Sequence, residues 1–93
     1  MKLFFLNECL GELENISVEG MWVNGKILPN KNMEKFKAFF EEIVDEENEF
    51  AEEDFSEEWL DDSNWFIIDN KNRKKNIYIP EVYPDGDFNW RWR

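Results

Sequence analysis

Within residues 13–28, Ile16, Val18 and Trp22 alternate with Asn15, Ser17 and Glu19, which is the two-residue period of a β-strand. Within this stretch Asn24-Gly25 separates two largely apolar triplets, and Asn-Gly accepts the positive φ angles of a two-residue turn. The pattern therefore predicts a β-hairpin that turns at Asn24-Gly25, with Trp22 facing Ile27 across the strand pair.

The middle of the chain has the period of an amphipathic helix. From about Asn32, apolar residues recur every three or four positions, which places them on one face. They are Met33, Phe36, Phe39, Phe40, Ile43 and Val44, and Phe50 continues the stripe. We interpret the stripe as the core face of the main helix, with Asn30 or Asn32 as its N-cap.

The helical pattern weakens after Phe50. A second short helix is expected over residues 55–61, because Asp54 and Glu57 resemble an N-terminal capping arrangement. Phe55 and Trp59 are four residues apart and share one face of this second helix.

Four further stretches favour β-strands. Residues 3–6 and 64–69 are rich in aromatic and aliphatic residues. Residues 88–92 alternate between aromatic and polar side chains. Residues 76–83 predict a strand that Pro80 interrupts, because proline cannot donate to a strand ladder.

Turn and loop chemistry separates these strands. Gly11 breaks the pattern after the first strand, and residues 70–76 predict a polar, basic loop. Pro84 and Gly86 predict a type I turn closed by a glycine bulge, which would place Tyr78 and Val82 on the same side as the last tryptophans.

These elements predict one α+β domain over residues 1–93. Adjacent strands joined by tight turns pair antiparallel. We expect a four- to five-stranded, mostly antiparallel sheet, with one main amphipathic helix packed on one face and a short second helix. Five tryptophans and nine phenylalanines supply a core for a chain of this size.

Negative charge is concentrated in residues 41–62, which we call the acidic segment. It holds 13 of the 22 Asp and Glu residues and no Lys or Arg, whereas the whole chain has a net charge of −11. The rest of the chain is therefore slightly positive. Because like charges four residues apart repel on a helix, the acidic segment favours binding of a cationic partner over a purely solubilising role.

Catalysis is not expected. The chain has no histidine and its four glycines are isolated, so it lacks the commonest general base and a phosphate-binding loop. Cys9 is the only cysteine and has no histidine to activate it, so we interpret it as a small apolar residue. Paired carboxylates occur by chance among so many acids. We predict that the protein is not an enzyme and holds no cofactor.

A specific metal site is also not expected. An EF-hand loop needs an acid at its fifth position and glycine at its sixth. The run that starts at Asp61 has Trp65 and Phe66 there instead. Loose binding of divalent ions remains an alternative role for the acidic segment.

The chain is expected to be cytoplasmic and without membrane contact. A lone cysteine is typical of a reducing compartment. The N-terminal apolar run is shorter than the core of a signal peptide, and no stretch reaches the length of a membrane-spanning helix.

The acidic segment predicts a basic protein as partner. Carboxylates on neighbouring helical turns lie about 5–6 Å apart, a spacing that resembles the phosphates of a nucleic-acid strand. Such a surface suits a protein that binds phosphates with Lys and Arg, whereas direct nucleic-acid binding is not expected because the net charge repels a polyanion. Phe55 and Trp59 are the candidate apolar anchors. The predicted partner-binding residues are Glu46, Glu49, Glu53, Asp54, Phe55, Glu57, Glu58, Trp59, Asp61 and Asp62.

In its size, α+β layout, lone cysteine, acidic helical region and surplus of tryptophan, the chain resembles the small acidic immunity proteins of bacterial toxin–immunity systems. The resemblance covers the whole chain without a shared motif, so no residue role is carried over. It implies a cytoplasmic domain that neutralises a cognate toxin, often a nuclease, by covering its active-site cleft. Phage-encoded DNA mimics that inhibit restriction or CRISPR nucleases are similar in composition. A non-inhibitory acidic subunit of a larger assembly is a further alternative.

Overall fold

The computed structural model describes residues 1–45 and 55–93, and within them seven strands form one antiparallel sheet. The strands are β1 (Lys2–Phe5), β2 (Glu8–Glu19), β3 (Trp22–Pro29), β4 (Trp65–Ile68), β5 (Lys74–Asn76), β6 (Glu81–Val82) and β7 (Asp87–Arg91). Their order in the sheet is β5-β4-β1-β2-β3-β7-β6. The molecule is α+β-like with mostly strands, but the expectation of only four or five strands is wrong.

The predicted break in the strand pattern at Gly11 is wrong. Gly11 is buried inside the twelve-residue strand β2, opposite Pro29 of β3. A Cβ atom added at Gly11 would lie 2.6 Å from the carbonyl oxygen of Leu28. Glycine is therefore used here for the close approach of two strands and not for a turn.

The β2–β3 hairpin is present, but its turn is at Gly20-Met21. Glu19 pairs with Trp22 across this turn, and Gly20 has a φ of +62°. Glycine is required at the first central position of a type II′ turn, where φ is positive. The predicted turn at Asn24-Gly25 is therefore wrong.

Asn24 and Gly25 lie inside β3. A Cβ atom on Gly25 would lie 2.9 Å from the carbonyl oxygen of Glu14, where the strand register shifts at a bulge. Trp22 is exposed and Ile27 is buried, so the predicted contact between them is also wrong. Two turn signals lie close together in this hairpin, and the observed register buries the apolar face of β3.

Residues 31–44 form a continuous helical segment. A 3₁₀ helix over Lys31–Phe36 leads into α1 (Lys37–Val44). Asn30 is the N-cap: its Oδ1 accepts a hydrogen bond of 2.9 Å from the Asn32 amide, and its Nδ2 donates to the carbonyl oxygen of Cys9 at 2.8 Å. This confirms Asn30 as one of the two predicted caps.

The phenylalanine stripe faces the sheet, as predicted. Phe36, Phe39 and Phe40 are at most 2% exposed, and their rings lie 5.2, 6.2 and 5.5 Å from the ring of Trp65. The buried apolar core consists of Leu3, Phe5, Leu10, Leu13, Val23, Ile27, Met33, Phe36, Phe39, Phe40, Trp65, Ile67, Ile77, Phe88 and Trp90. The predicted continuation of the stripe at Phe50 lies outside the described residues.

The second helix is shorter than expected. α2 spans Glu57–Leu60, and Ser56 is its N-cap, with Oγ 3.3 Å from the Glu58 amide. The predicted capping residue Asp54 lies outside the described residues. No helix in the described part of the chain has both the length and the apolar character needed to cross a membrane.

The C-terminal third contains four strands, one more than expected, although together they are shorter than predicted. Part of the predicted basic loop forms β5, an edge strand that pairs with β4. The turn before β7 has the predicted type I form with a glycine bulge: Gly86 has a φ of +95°, and its amide donates to the carbonyl oxygen of Tyr83 at 3.0 Å. Val82 pairs with Phe88, which places it on the tryptophan side of β7, as predicted.

Tyr78 does not lie on the tryptophan side of β7. Ile77 takes the position opposite Trp92, and Pro80 is buried between Ile77 and β6. The ring of Tyr78 instead lies 4.9 Å from the guanidinium carbon of Arg91. The prediction for Tyr78 is wrong because the strand is interrupted at Pro80, which the turn type alone could not reveal.

Candidate functional site

The predicted partner-binding residues fall into two groups. Glu46, Glu49, Glu53 and Asp54 lie outside the described residues. The others are in or beside α2: Phe55, Glu57, Glu58, Trp59, Asp61 and Asp62. The structure therefore places the second group within one short stretch between the helical segment and β4.

Phe55 and Trp59, the predicted anchors, are half-buried against the core. The ring of Trp59 lies 4.5 Å from that of Phe36, and the ring of Phe55 lies 5.1 Å from that of Phe39. The indole nitrogen of Trp65 also donates to the carbonyl oxygen of Trp59 at 2.8 Å. These contacts hold α2 on the core and leave only the exposed edges of both rings for a partner.

Glu57 and Glu58 are exposed in the first turn of α2. Carboxylates are favourable there because the free amide groups of a helix N-terminus carry partial positive charge. The ion pairs between described residues join Lys26 to Asp87, Lys35 to Glu8 and Arg73 to Asp69. None of these three pairs includes an acid of the acidic segment.

Asp61 and Asp62 have structural roles. Asp61 Oδ1 accepts hydrogen bonds from Ser63 Oγ at 2.7 Å and from the Ser63 amide at 3.0 Å. These bonds, together with the charge of Arg93, lower the pKa of Asp61 below its usual range. Asp62 Oδ1 accepts a 2.7 Å bond from the Ile79 amide and so joins the end of the acidic segment to the C-terminal third.

Three of the six Lys and Arg residues in the C-terminal third contact groups outside the acidic segment. Arg73 pairs with Asp69, the ammonium group of Lys74 lies 4.5 Å from the ring centre of Phe66, and Arg91 lies between two aromatic rings. Arg93 is the cation whose charge acts on Asp61. Neither Glu57 nor Glu58 belongs to the three ion pairs given above.

A groove of about 570 Å³, which the sequence pattern did not indicate, lies between the helical segment and the β6–β7 turn. Its lining includes Ile27, Met33, Phe40, Val82 and Tyr83, and its charged residues are Lys31, Glu34, Lys37 and Glu41. This volume is in the usual range of binding clefts. The charged lining is balanced, with two lysines and two glutamates, and one of these glutamates, Glu41, begins the acidic segment.

Arg91 is held between two partly exposed rings on the outer face of the sheet. Its guanidinium carbon lies 5.1 Å from the ring centre of Trp22 and 4.9 Å from that of Tyr78. The sequence pattern did not predict this cluster, although the alternation of β7 already placed Arg91 on the face of the strand opposite that of Trp90. The misplaced hairpin turn concealed the pairing of Trp22 with Arg91.

No group of three or more His, Cys, Asp or Glu side chains in residues 1–45 and 55–93 is arranged to hold a metal ion. The run that starts at Asp61 instead forms the hydrogen bonds described above. No family model matches this sequence, and no curated protein or solved structure is significantly similar to it.

Proposed function

We propose that this protein binds a basic partner protein through its acidic segment and inhibits it in the cytoplasm, with a nuclease toxin as the partner that fits best. The observation that carries this proposal is the exposure of Glu57 and Glu58 outside the ion pairs of the described residues. The charge asymmetry supports it, because 13 acids lie in residues 41–62 and the rest of the chain is slightly positive.

Electrostatic attraction explains why such a surface suits an inhibitor. A cleft that binds a polyanionic substrate is rich in Lys and Arg, and opposite charges steer two proteins into contact. Steering raises the association rate, which matters when the partner is toxic before it is bound. In this proposal the acidic segment competes with nucleic acid for the cleft, and the protein itself performs no chemistry.

The apolar groove beside Glu41 supplies a place for non-polar contact. The rings of Phe55 and Trp59 are largely committed to the core, so they offer less area than anchors require. An apolar side chain of the partner that enters the groove would contact Met33, Phe40 and Val82. Charge would then provide fast association, and the groove would provide slow dissociation.

Co-purification with a tagged form from the source cell identifies the partner, and a nuclease protection assay tests inhibition. We expect the captured protein to be basic, and its cleavage of DNA or RNA to stop at a stoichiometric amount of this protein. Binding without protection would favour the non-inhibitory subunit. Failure to retain any basic protein would contradict the proposal.

Association kinetics test the role of the acidic segment with the identified partner. The double variant Glu57→Lys, Glu58→Lys is expected to lower the association rate by about tenfold or more at low salt and to weaken its salt dependence. The control Glu12→Lys, Glu81→Lys makes the same charge change at positions outside both the acidic segment and the groove lining. Equal rates for the two double variants would contradict the assignment of this surface.

A further inference from the structure

Near its turn, the β2–β3 hairpin is exposed in the part of the chain that the structure describes. All nine residues from position 14 to position 22 are exposed. β1 pairs with β2 only from Glu8 to Glu12, and the Leu13 amide donates to the carbonyl oxygen of Met1 at 2.8 Å. Beyond Leu13, the side of β2 that faces away from β3 has no strand neighbour among the described residues.

The backbone of Val18 is directed to this open side. Pairs in an antiparallel ladder alternate between hydrogen-bonded and non-hydrogen-bonded, and the pair that flanks a two-residue turn, here Glu19 with Trp22, is hydrogen-bonded. Val18 opposite Val23 is therefore a non-hydrogen-bonded pair. The amide of Ile27 supports this orientation, because it donates to the carbonyl oxygen of Gly86 and so is directed away from β2. Val23 is four residues before Ile27 in the same strand, and its amide therefore has the same direction.

The two faces of this edge differ in chemistry. Val18 lies opposite the buried Val23, and Ile16 Cδ1 lies 2.8 Å from the position of a Cβ on Gly25, so both are on the core-facing side. Glu14 lies opposite Lys26 and Glu19 opposite Trp22, on the outer face. The edge thus presents an apolar row on one face and an acidic row on the other.

We propose that the open edge of β2 from Glu14 to Glu19 binds an extended strand of a basic partner, in which apolar and cationic side chains alternate. Main-chain hydrogen bonds to Val18 would add the strand to the sheet, and its cations would lie beside Glu14 and Glu19. Neither of these acids takes part in the ion pairs of the described residues, and Lys26 is paired with Asp87. The choice of a basic partner rests on the function proposed above.

A second copy of this chain is not expected to bind at the same edge, because the two copies carry like charges. Each copy has a net charge of −11, and an edge that carries Glu14 and Glu19 would meet the same acidic row. Like charges on neighbouring strands are destabilising. The Asn15 bulge, with a φ of +55°, also twists the edge and opposes flat pairing between identical strands.

The test uses two hexapeptide probes of equal charge on the full-length, ¹⁵N-labelled protein. One alternates lysine and valine, and the other has three lysines followed by three valines. We expect the alternating peptide to bind about fivefold or more tightly and to shift amide signals at residues 14–20. The variant Val18→Pro removes the outward amide donor and is expected to abolish this preference, while its other amide signals remain those of the folded protein.

Because proline at position 18 could also disturb the hairpin, a second peptide tests the main-chain hydrogen bonds on the unchanged protein. The alternating peptide methylated on its backbone nitrogens keeps its charge and side chains, and we expect it to bind the unchanged protein no better than the block peptide. Equal binding of all peptides, with shifts at residues 41–45 and 55–62, would overturn the edge proposal and leave the proposed function standing. Absence of binding would overturn it too, as would self-association that shifts the Val18 signal without peptide. Failure of the proposed function is recognised separately, by the charge-reversal kinetics on α2.

Discussion

The indole nitrogen of Trp65 donates a hydrogen bond of 2.8 Å to the backbone carbonyl oxygen of Trp59. Trp65 begins β4 and Trp59 lies in α2, so this bond attaches the short acidic helix to the sheet. A four-residue helix has too few internal hydrogen bonds to be stable alone. The exposed carboxylates of α2 are therefore positioned by the two tryptophans and not by helix propensity.

The variant Trp65→Phe tests this attachment. Loss of the buried hydrogen bond and of ring volume is expected to lower the free energy of unfolding by about 1–3 kcal/mol. Urea denaturation measures the change. The control Trp22→Phe alters a ring that is 39% exposed and is expected to change stability by less than about 1 kcal/mol. Equal midpoints for the two variants would show that Trp65 does not hold α2.

The variant Gly11→Ala tests the close approach of β2 and β3. Its Cβ would meet the carbonyl oxygen of Leu28 at 2.6 Å, and backbone atoms can move only if the strands separate. We expect a loss of about 1–3 kcal/mol in the free energy of unfolding. Glu12→Ala, at the exposed neighbouring position, is the control and is expected to stay within about 0.5 kcal/mol. A tolerated alanine at position 11 would contradict the strand geometry.

The carboxylate of Asp69 is expected to make the free energy of unfolding depend on pH. Its Oδ1 accepts hydrogen bonds from the amides of Arg73 at 2.9 Å and Lys71 at 2.8 Å, and its Oδ2 pairs with the Arg73 side chain. The bond from the Arg73 amide is the main reason that the pKa of Asp69 lies below its usual range. The stabilisation is therefore complete above the unfolded pKa of about 3.9 and is lost as pH falls through the lower, folded pKa.

Urea denaturation between pH 7 and pH 2.5 measures this effect. Asp69→Asn is expected to be less stable than the unchanged protein at pH 7, and the difference is expected to shrink below about pH 4. Arg73→Gln keeps both backbone donors, so most of the pH dependence should remain in that variant. A difference between Asp69→Asn and the unchanged protein that stays constant with pH would contradict the assignment.

The contact between Trp22 and Arg91 is expected to couple two strands. A double-mutant cycle with Trp22→Leu and Arg91→Gln should give a coupling free energy of about 0.5–1 kcal/mol, the size of a partly exposed cation–π contact. A second cycle with Trp22→Leu and Lys26→Gln serves as the control. Lys26 is also in β3, but its charge is paired with Asp87 of β7. Equal coupling in both cycles would show that the ring of Trp22 has no specific effect on Arg91.

Local patterns predicted several elements correctly because their causes are local. The phenylalanine stripe depends on the helical period, and the turn at Pro84 and Gly86 depends on backbone preferences of adjacent residues. The hairpin turn was misplaced because Gly20 and Asn24-Gly25 both favour turns within a few residues. The choice between them depends on which register buries Val23, which no local pattern reports.

The candidate site also has some features that local sequence predicts and others that depend on distant contacts. The charge of the acidic segment is a property of composition, so the exposed carboxylates of Glu57 and Glu58 could be predicted from the sequence. The half-buried state of Phe55 and Trp59 could not, because amphipathic spacing does not distinguish rings that face a partner from rings that face the core. The groove beside Glu41 also could not be predicted, since its lining comes from segments far apart in the chain.

Residue order alone determined two properties of this protein: the concentration of negative charge in residues 41–62 and the common helix face of Phe36, Phe39 and Phe40. Both follow from composition and from the 3.6-residue period, which need no knowledge of distant contacts. The folded structure decided that Trp59 packs inward and that Val18 lies on a strand edge without a neighbouring strand among the described residues. These properties depend on where β1 ends beside β2 and on how α2 meets the sheet, which are contacts between residues far apart in sequence.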